Sequence, residues 1–134
     1  MAGTDKTTAW DPAEFERIGA AEELRLASRR PDGSLRPFVT MWVVRAGGDL
    51  YVRSAYGPGN PWYRRATASG TGRIRAGGIE RDVSFADAAA VAQDDIDAAY
   101  HAKYDRYGPR IIDTVTNPGA HRVTIRLVPQ SEKG

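Results

Sequence analysis

Cysteine is missing from this 134-residue chain, and its absence excludes a disulfide framework, a thiol nucleophile and a thiolate metal site, leaving the redox compartment unmarked. Histidine is almost missing too. His101 and His121 are the only two; they stand far apart with no carboxylate at ligand spacing, so no metal site is expected. No apolar run is long enough to cross a bilayer, and Met1 to Thr8 is polar rather than a signal peptide, so a cytoplasmic protein without a membrane partner is expected. A surplus of one charge is also lacking. Nineteen Lys and Arg oppose seventeen Asp and Glu, a formal net charge of +2, which gives no reason to expect nucleic acid as a partner. There is no nucleophile elbow, P-loop or dinucleotide fingerprint, and no internal repeat or low-complexity tract.

What is present is an ordinary globular composition, 41% hydrophobic and 27% charged, at a length that suits one domain with one core. The expected organisation is a flexible N-terminus over 1–9, a single domain over 10–129 and a polar tail over 130–134. The positive charges are mostly arginine, whose planar fork suits phosphate and carboxylate, so where the arginines cluster matters more than their sum.

Asp11 before Pro12, with Glu14 three residues on, predicts the start of a short helix. Leu24 and Leu26 alternate with charged residues up to Ser28, the period of a half-buried strand, and Arg29 to Ser34 reads as a turn around Pro31-Asp32-Gly33. Phe38 to Arg45 predicts one long strand, joined to Leu50–Ala55 by Gly47-Gly48; that register sets Val44 opposite Tyr51, Val43 opposite Val52 and Trp42 opposite Arg53, the last as a cation–π pair. In a second hairpin, Gly77-Gly78 sets Arg75 opposite Glu80 and Arg73 opposite Asp82, with Ile79, Val83 and Phe85 on the buried face. Ile96, Tyr100, Lys103/Tyr104 and Tyr107 recur at helical spacing from Asp94 to a stop at Gly108-Pro109, and Arg122 to Val128 alternates as a closing strand. These short, hairpin-connected strands predict a mainly β fold with α additions: a small antiparallel barrel with an N-terminal helix, a short helix after the central hairpin and a C-terminal helix before the last strand.

The most informative segment for chemistry is Tyr51 to Arg65, where a strand leaves through a Gly/Pro loop into a helix start. Asn60 is placed to cap and Pro61 to take the first helical position, so free N–H groups and the positive helix end point to an anion, with Arg53, Ser54, Arg64 and Arg65 close in sequence. A phosphate-bearing ligand is the physical inference; a solvated turn whose arginines pack or pair with acids is the open alternative. Arg29, Arg30 and Arg36 bracket the turn before the long strand, and Thr40 shares a face with Trp42, where it can meet a planar ligand. His101 stands four residues after Asp97, an exposed pair before it is a catalytic base. Tyr100, Tyr104 and Tyr107 read as core for two of the three, with Tyr104 open as a proton donor.

The runs Arg-Pro-Asp-Gly-Ser-Leu-Arg-Pro at 30–37, Trp-Val-Val-Arg at 42–45, Asp-Leu-Tyr-Val-Arg-Ser at 49–54, Ala-Gly-Gly-Ile-Glu at 76–80, Ile-Asp-Ala-Ala-Tyr at 96–100 and Lys-Tyr-Asp-Arg-Tyr at 103–107 resemble the bacterial family Domain of Unknown Function 2255, over roughly Trp10 to Pro129. More remotely, the order Gly33, Arg36, long strand, Tyr51 to Ser54, Gly-rich loop, Pro61-Trp62-Tyr63 resembles the deazaflavin-dependent nitroreductase branch of the split-barrel flavin-binding superfamily. That resemblance implies a split barrel, a homodimer, a deazaflavin coenzyme or flavin mononucleotide (FMN) with its phosphate on Arg29, Arg30, Arg36 and the loop from Ser54 to Tyr63, and hydride transfer to a small molecule; the residues themselves add Thr40, Trp42, Arg53, Trp62 and Arg64 to the expected cofactor-binding set. Where that branch has a His-Asn pair after Trp-Tyr, this chain has Arg64-Arg65. The departure keeps two alternatives in view. One is a cofactor-free barrel enzyme, a cyclase, isomerase or hydrolase with Tyr104 and His101 as acid and base; the other is a non-catalytic ligand-binding protein.

Overall fold

The computed structural model describes residues 10–55, 57–90 and 93–130. The expectations for 1–9 and for most of the tail lie outside the described residues, as does Tyr56.

The chain enters through α1 (Pro12–Ala20), where the Asp11 carboxylate accepts from the N–H groups of Ala13 and Glu14 as the capping signal predicts. Glu14 does not reach back to close the capping box; its carboxylate pairs with Arg81. Seven strands follow: β1 (Leu24–Ser28), β2 (Val39–Met41), β3 (Val44–Ala46), β4 (Asp49–Arg53), β5 (Thr71–Ala76), β6 (Ile79–Asp87) and β7 (Thr124–Pro129). They form one antiparallel sheet in the order β2-β1-β5-β6-β7-β4-β3. Its two edge strands are separated in sequence by Trp42 and Val43 alone, so the sheet must curl until its ends meet. The product is a split β-barrel with helical additions, as the alternating strands imply.

The β5–β6 hairpin has the predicted register, Arg75 opposite Glu80 and Arg73 opposite Asp82, and Val83 is fully buried, with Ile79 and Phe85 packed against the core. Opposite charges paired in only one register fix it. The first hairpin is shorter than predicted. Val44 does face Tyr51, but the ladder stops there, and the expected pairs Val43–Val52 and Trp42–Arg53 are absent because the single long strand is bent into two. The Val43 N–H donates to the Tyr104 hydroxyl at 3.2 Å, and the Val43 carbonyl accepts from Lys103 Nζ at 2.7 Å. Side chains from a helix thus take the backbone groups that a continuous ladder would have used. Arg53 pairs across the sheet with Thr124 instead.

Four further helices lie among the described residues: α2 (Pro61–Ser69), α3 (Gln93–Tyr104), α4 (Pro109–Thr116) and α5 (Pro118–His121), with a 3-10 turn at Asp105–Tyr107. The break at Gly108 is where the sequence places it, yet Pro109 opens α4 rather than ending the helical region. Inside the barrel, Leu24, Leu26, Leu50, Val52, Ile74, Val83, Ile125 and Leu127 form one core with Ile18 and Trp62. A second core of Val44, Tyr51, Ile96, Tyr100, Tyr104, Ile112 and Val115 seals α3 and α4 onto the outer face of β3 and β4. Strand alternation makes both cores: Leu50 and Val52 point inward, Tyr51 outward.

Candidate functional site

The two arginine clusters meet. Arg29, Arg30 and Arg36 on one side and Arg64 and Arg65 of α2 on the other line a cleft of about 840 Å³, floored by Pro61, Ala68, Ser69 and Thr71. Among the described residues no acid lines it. Helical spacing explains the α2 wall: Pro61, Arg64, Arg65 and Ala68 fall on one stripe while Trp62 and Ala66 turn into the core. The turn wall is stiffened by its own bonds. Arg29 donates to the Gly33 carbonyl at 2.8 Å and to Asp82 at 2.9 Å, and Arg30 donates to Ser34 Oγ and the Leu35 carbonyl. Bonds from Ser34, then the Arg30 charge, hold the Asp32 carboxyl below its usual range; Arg73, then Arg29, does the same for Asp82. The guanidinium groups of Arg36, Arg64 and Arg65 have no ion pair or side-chain hydrogen bond among the described residues.

A second, apolar pocket of about 370 Å³ lies at the start of the same helix α2. Val39, Met41, Trp42, Trp62, Ile111 and Val115 give it apolar walls, and Thr40, Arg53, Asn60 and Thr114 also line it. The start of α2 separates the two spaces, with Pro61 in the cleft and Asn60 and Trp62 in the pocket. Trp42 is held flat against Tyr104, ring centroids 4.0 Å apart and planes within 4°. The expected Trp42–Arg53 contact does not form; the Arg53 guanidinium lies over Tyr100 instead.

The anion cradle expected between Ser54 and Tyr63 is not built. Ser54 is fully buried and its hydroxyl donates to the Gly57 carbonyl at 2.6 Å. Asn60 stands at the cap position but makes no capping bond, its amide reaching the Ala55 carbonyl, while the Tyr63 and Arg64 N–H groups both find the Asn60 carbonyl. These groups of the loop bond within it. Tyr63 faces away from the arginine cleft, toward a separate hollow with Ser54, Asn117 and Arg122.

Arg53 is the largest departure from the expected ligand set. Its side chain is wholly buried, and its donors reach Asp97 at 2.6 Å, the Val115 carbonyl at 2.7 Å, Gln93 at 2.7 Å and Thr124 at 3.0 Å. Asp97 turns its other oxygen to His121 Nε2 at 3.0 Å. This polar network, which no local sequence pattern signals, pins α3, α4 and β7 together behind the apolar pocket.

The two candidate acid–base residues lie outside both spaces. Tyr104 is buried, accepts from the Val43 N–H and lies within donating distance of the Glu22 carbonyl at 2.8 Å and the Val43 carbonyl at 3.1 Å; burial pushes its phenol well above the usual range. It is a structural clasp for the bent strand. His101 sits exposed and pairs with Asp105 one turn ahead at 2.8 Å, not with Asp97 one turn behind. Of the tyrosine stripe, Tyr100 and Tyr104 are core and Tyr107 is exposed.

Comparison with known proteins agrees with this architecture. Residues 14–127 match the model of a family described as an uncharacterised protein conserved in bacteria, DUF2255. No curated protein matches. Similar solved structures include the heme storage protein HutZ from Vibrio cholerae (TM-score 0.59, 13% identity, 92% of each chain covered). A conserved hypothetical protein, Rv2991, from Mycobacterium tuberculosis has a TM-score of 0.55 at 16% identity, over 93% of this chain and 84% of that one. An FAD-binding protein from Mesorhizobium loti has a TM-score of 0.53 at 18% identity, with 91% of each chain covered.

Proposed function

Since the chain belongs to the bacterial family DUF2255, whose description carries no activity, we propose its function from the site: it binds a flat, phosphate-bearing cofactor, a deazaflavin coenzyme or FMN, and acts as an oxidoreductase on a small molecule. The observation that carries this reading is the arginine cleft itself, five guanidinium groups around one space with no acid among the described lining residues, on the same helix start as a pocket walled by two tryptophans. Unpaired guanidiniums are costly to gather unless an anion completes them. A protein of similar fold binds FAD and another stores heme, both flat conjugated ligands.

The residues fit such a group at both ends. Arg36, Arg64 and Arg65 are free to take phosphate oxygens, with Arg29 and Arg30 fixed beside them; Trp42, Trp62 and Met41 offer apolar surface to a ring, and Thr40 a hydroxyl at its edge. Bound there, the cofactor supplies hydride transfer. The chain's own contribution is to anchor the phosphate, hold the ring against the tryptophans and exclude water from one of its faces. Arg53 serves this indirectly, by tying α4, which supplies Ile111 and Val115, to the barrel wall.

The other face of the ring is left to a second copy of the chain. The three exposed large hydrophobic residues among the described ones, Val39, Tyr107 and Ile111, fall near this one place: two line the pocket, and the Tyr107 ring centroid lies 5.2 Å from that of Trp42. A homodimer covering that patch completes the pocket and removes the patch from water. Sedimentation is expected to show a dimer, and Ile111→Asp to shift it toward monomer.

Calorimetric titration with FMN and with the deazaflavin coenzyme tests the central reading. Saturable binding is expected, weakened about tenfold by Arg36→Ala, the value of one charge-assisted contact. A protein that binds neither cofactor overturns it. Binding without turnover of any hydride acceptor would leave a ligand-binding protein rather than an oxidoreductase.

A further inference from the structure

The hollow that Tyr63 faces shares no lining residue with the arginine cleft. Its volume is about 560 Å³, inside the roughly 300–1,000 Å³ that small-molecule sites occupy. The loop after β4 forms one side through Ser54 and Pro58, Tyr63 of α2 a second, and the α4–α5 corner from Thr114 to Val123 the third. Bonds between and within these sides hold them in place. The Ser54 N–H donates to the Val123 carbonyl at 3.3 Å, and the Asn117 side chain accepts from the Ala120 N–H at 3.0 Å and donates to the Asp113 carbonyl at 2.8 Å.

Most polar side chains of the lining are already committed. The Ser54 hydroxyl donates to the Gly57 carbonyl, the Thr114 hydroxyl donates to the Ile111 carbonyl at 2.7 Å, and the Asn117 amide is bonded at both ends. The Tyr63 hydroxyl and the Arg122 guanidinium are different: neither has a hydrogen bond or ion pair among the described residues. Burial, then the charge of Asp87 in a neighbouring hollow, raises the Tyr63 phenol above its usual range, so it keeps its proton and remains a donor. Both uncommitted groups therefore lack an acceptor. Among the described residues no acid lines the hollow to supply one. A guanidinium fork matches the two oxygens of a carboxylate, and one arginine balances its single charge, whereas a phosphate monoester brings roughly 1.5 to 2.

We propose that this hollow binds a small organic acid, its carboxylate on Arg122 and Tyr63 and its apolar body against Pro58, Ala120 and Val123. Thr114 lines both this hollow and the ring pocket, so an acid held here meets the wall that the two spaces share. The site goes beyond the cofactor reading and does not depend on it.

The test is titration of the full chain with sodium benzoate at constant ionic strength, followed by amide shifts in nitrogen-15 NMR, with benzamide as the neutral isostere. Benzoate is expected to saturate and to move the amides of 54–63 and 114–123 while leaving those of 29–36 in place. Benzamide is expected to bind about tenfold more weakly, and Arg122→Gln to weaken benzoate by a similar factor. Tyr63→Phe is expected to weaken it less, and Arg64→Ala/Arg65→Ala not at all. Arg122 is exposed and the Tyr63 hydroxyl is unbonded, so both variants are expected to melt with the wild type; the benzamide comparison needs no variant. Four results overturn the proposal: no saturable shift, benzamide as tight as benzoate, shifts confined to the arginine cleft, or unchanged binding by Arg122→Gln. Phenyl phosphate that binds this hollow more tightly than benzoate overturns the carboxylate assignment. Benzoate binding by a chain that takes no flavin keeps this site and sinks the cofactor reading, whereas flavin binding by a chain that takes no benzoate does the reverse.

Discussion

Replacing Arg53 by leucine would leave Asp97, Gln93, Thr124 and the Val115 carbonyl facing an apolar side chain, with Asp97 stranded beside His121. Breaking a buried pair from one side costs about 3–5 kcal/mol. Denaturant unfolding of Arg53→Leu is expected to show a loss of that order, while Arg64→Ala and Arg65→Ala stay within about 0.5 kcal/mol of wild type. A stable Arg53→Leu would mean that the network holds nothing. Sequence could not separate these arginines by type, only by parity: Arg53 shares a strand face with Tyr51, the face that α3 covers. That a helix forty residues on supplies the covering carboxylate is tertiary information. Gly72 is the opposite case, a residue defined by what it lacks. A Cβ there would stand 2.1 Å from the Ala27 carbonyl oxygen and 2.8 Å from the Phe85 ring, so Gly72→Ala must push β1 from β5 and is expected to cost at least about 1–3 kcal/mol by thermal melting.

Among the elements, those whose specification is local were legible and those specified by a neighbour were not. The β5–β6 register follows from two opposite-charge pairs across a Gly-Gly turn, all within ten residues. The break between β2 and β3 follows from Tyr104 and Lys103, sixty residues on, so a uniformly β-branched and aromatic run read as one strand. Pro109 read as a stop because proline punctuates helices at both ends; it in fact starts one. If Tyr104 is the clasp of that bend, Tyr104→Phe loses about 1–3 kcal/mol of stability, since the Val43 N–H is left without a partner inside the core, and cofactor affinity changes little. A Tyr104→Phe variant as stable as wild type but catalytically dead would restore Tyr104 as an acid. The sheet also contains a like-charge pair, Arg25 opposite Arg75. Arg25→Glu converts it to an attractive pair and is expected to stabilise by about 0.5 kcal/mol, an effect that added salt reduces.

The candidate site belongs to the whole molecule. A net charge of +2 conceals a local excess of arginine, because acids elsewhere balance the count; the excess arises only when β1 pairs with β5 and α2 lies alongside, bringing residues 29–36 against 64–65. Both clusters stood out in the sequence, and a barrel could bring them near one loop; the pairing of β1 with β5 is what joins them.

Lys103 binds the molecule at the same scale: its Nζ donates to the Gly19 carbonyl at the end of α1 and to the Val43 carbonyl at the strand bend, from a position on α3. Burial, reinforced by the charges of Arg45 and Arg106, lowers its pKa from the ordinary value to about 8, with Glu22 opposing. Between that value and about 10.5 the unfolded chain holds a proton on Lys103 that the folded chain has released, so the Lys103 contribution makes stability rise with pH across this interval. Tyr100 and Tyr104 act the other way at higher pH. Burial raises both phenols, so the unfolded chain gives up their protons first and stability falls above about pH 10. The useful window is therefore roughly pH 8 to 9.5, below the tyrosine range. There the wild type is expected to gain stability with a slope below about 1.4 kcal/mol per pH unit, reduced because the half-exposed ammonium is screened by water. Lys103→Met should be less stable at pH 7, where both carbonyls lose their donor, and should show a flatter slope across the window. Equal slopes in the two proteins would show that Lys103 keeps its proton to ordinary lysine pH, and that its two carbonyl bonds outweigh its burial.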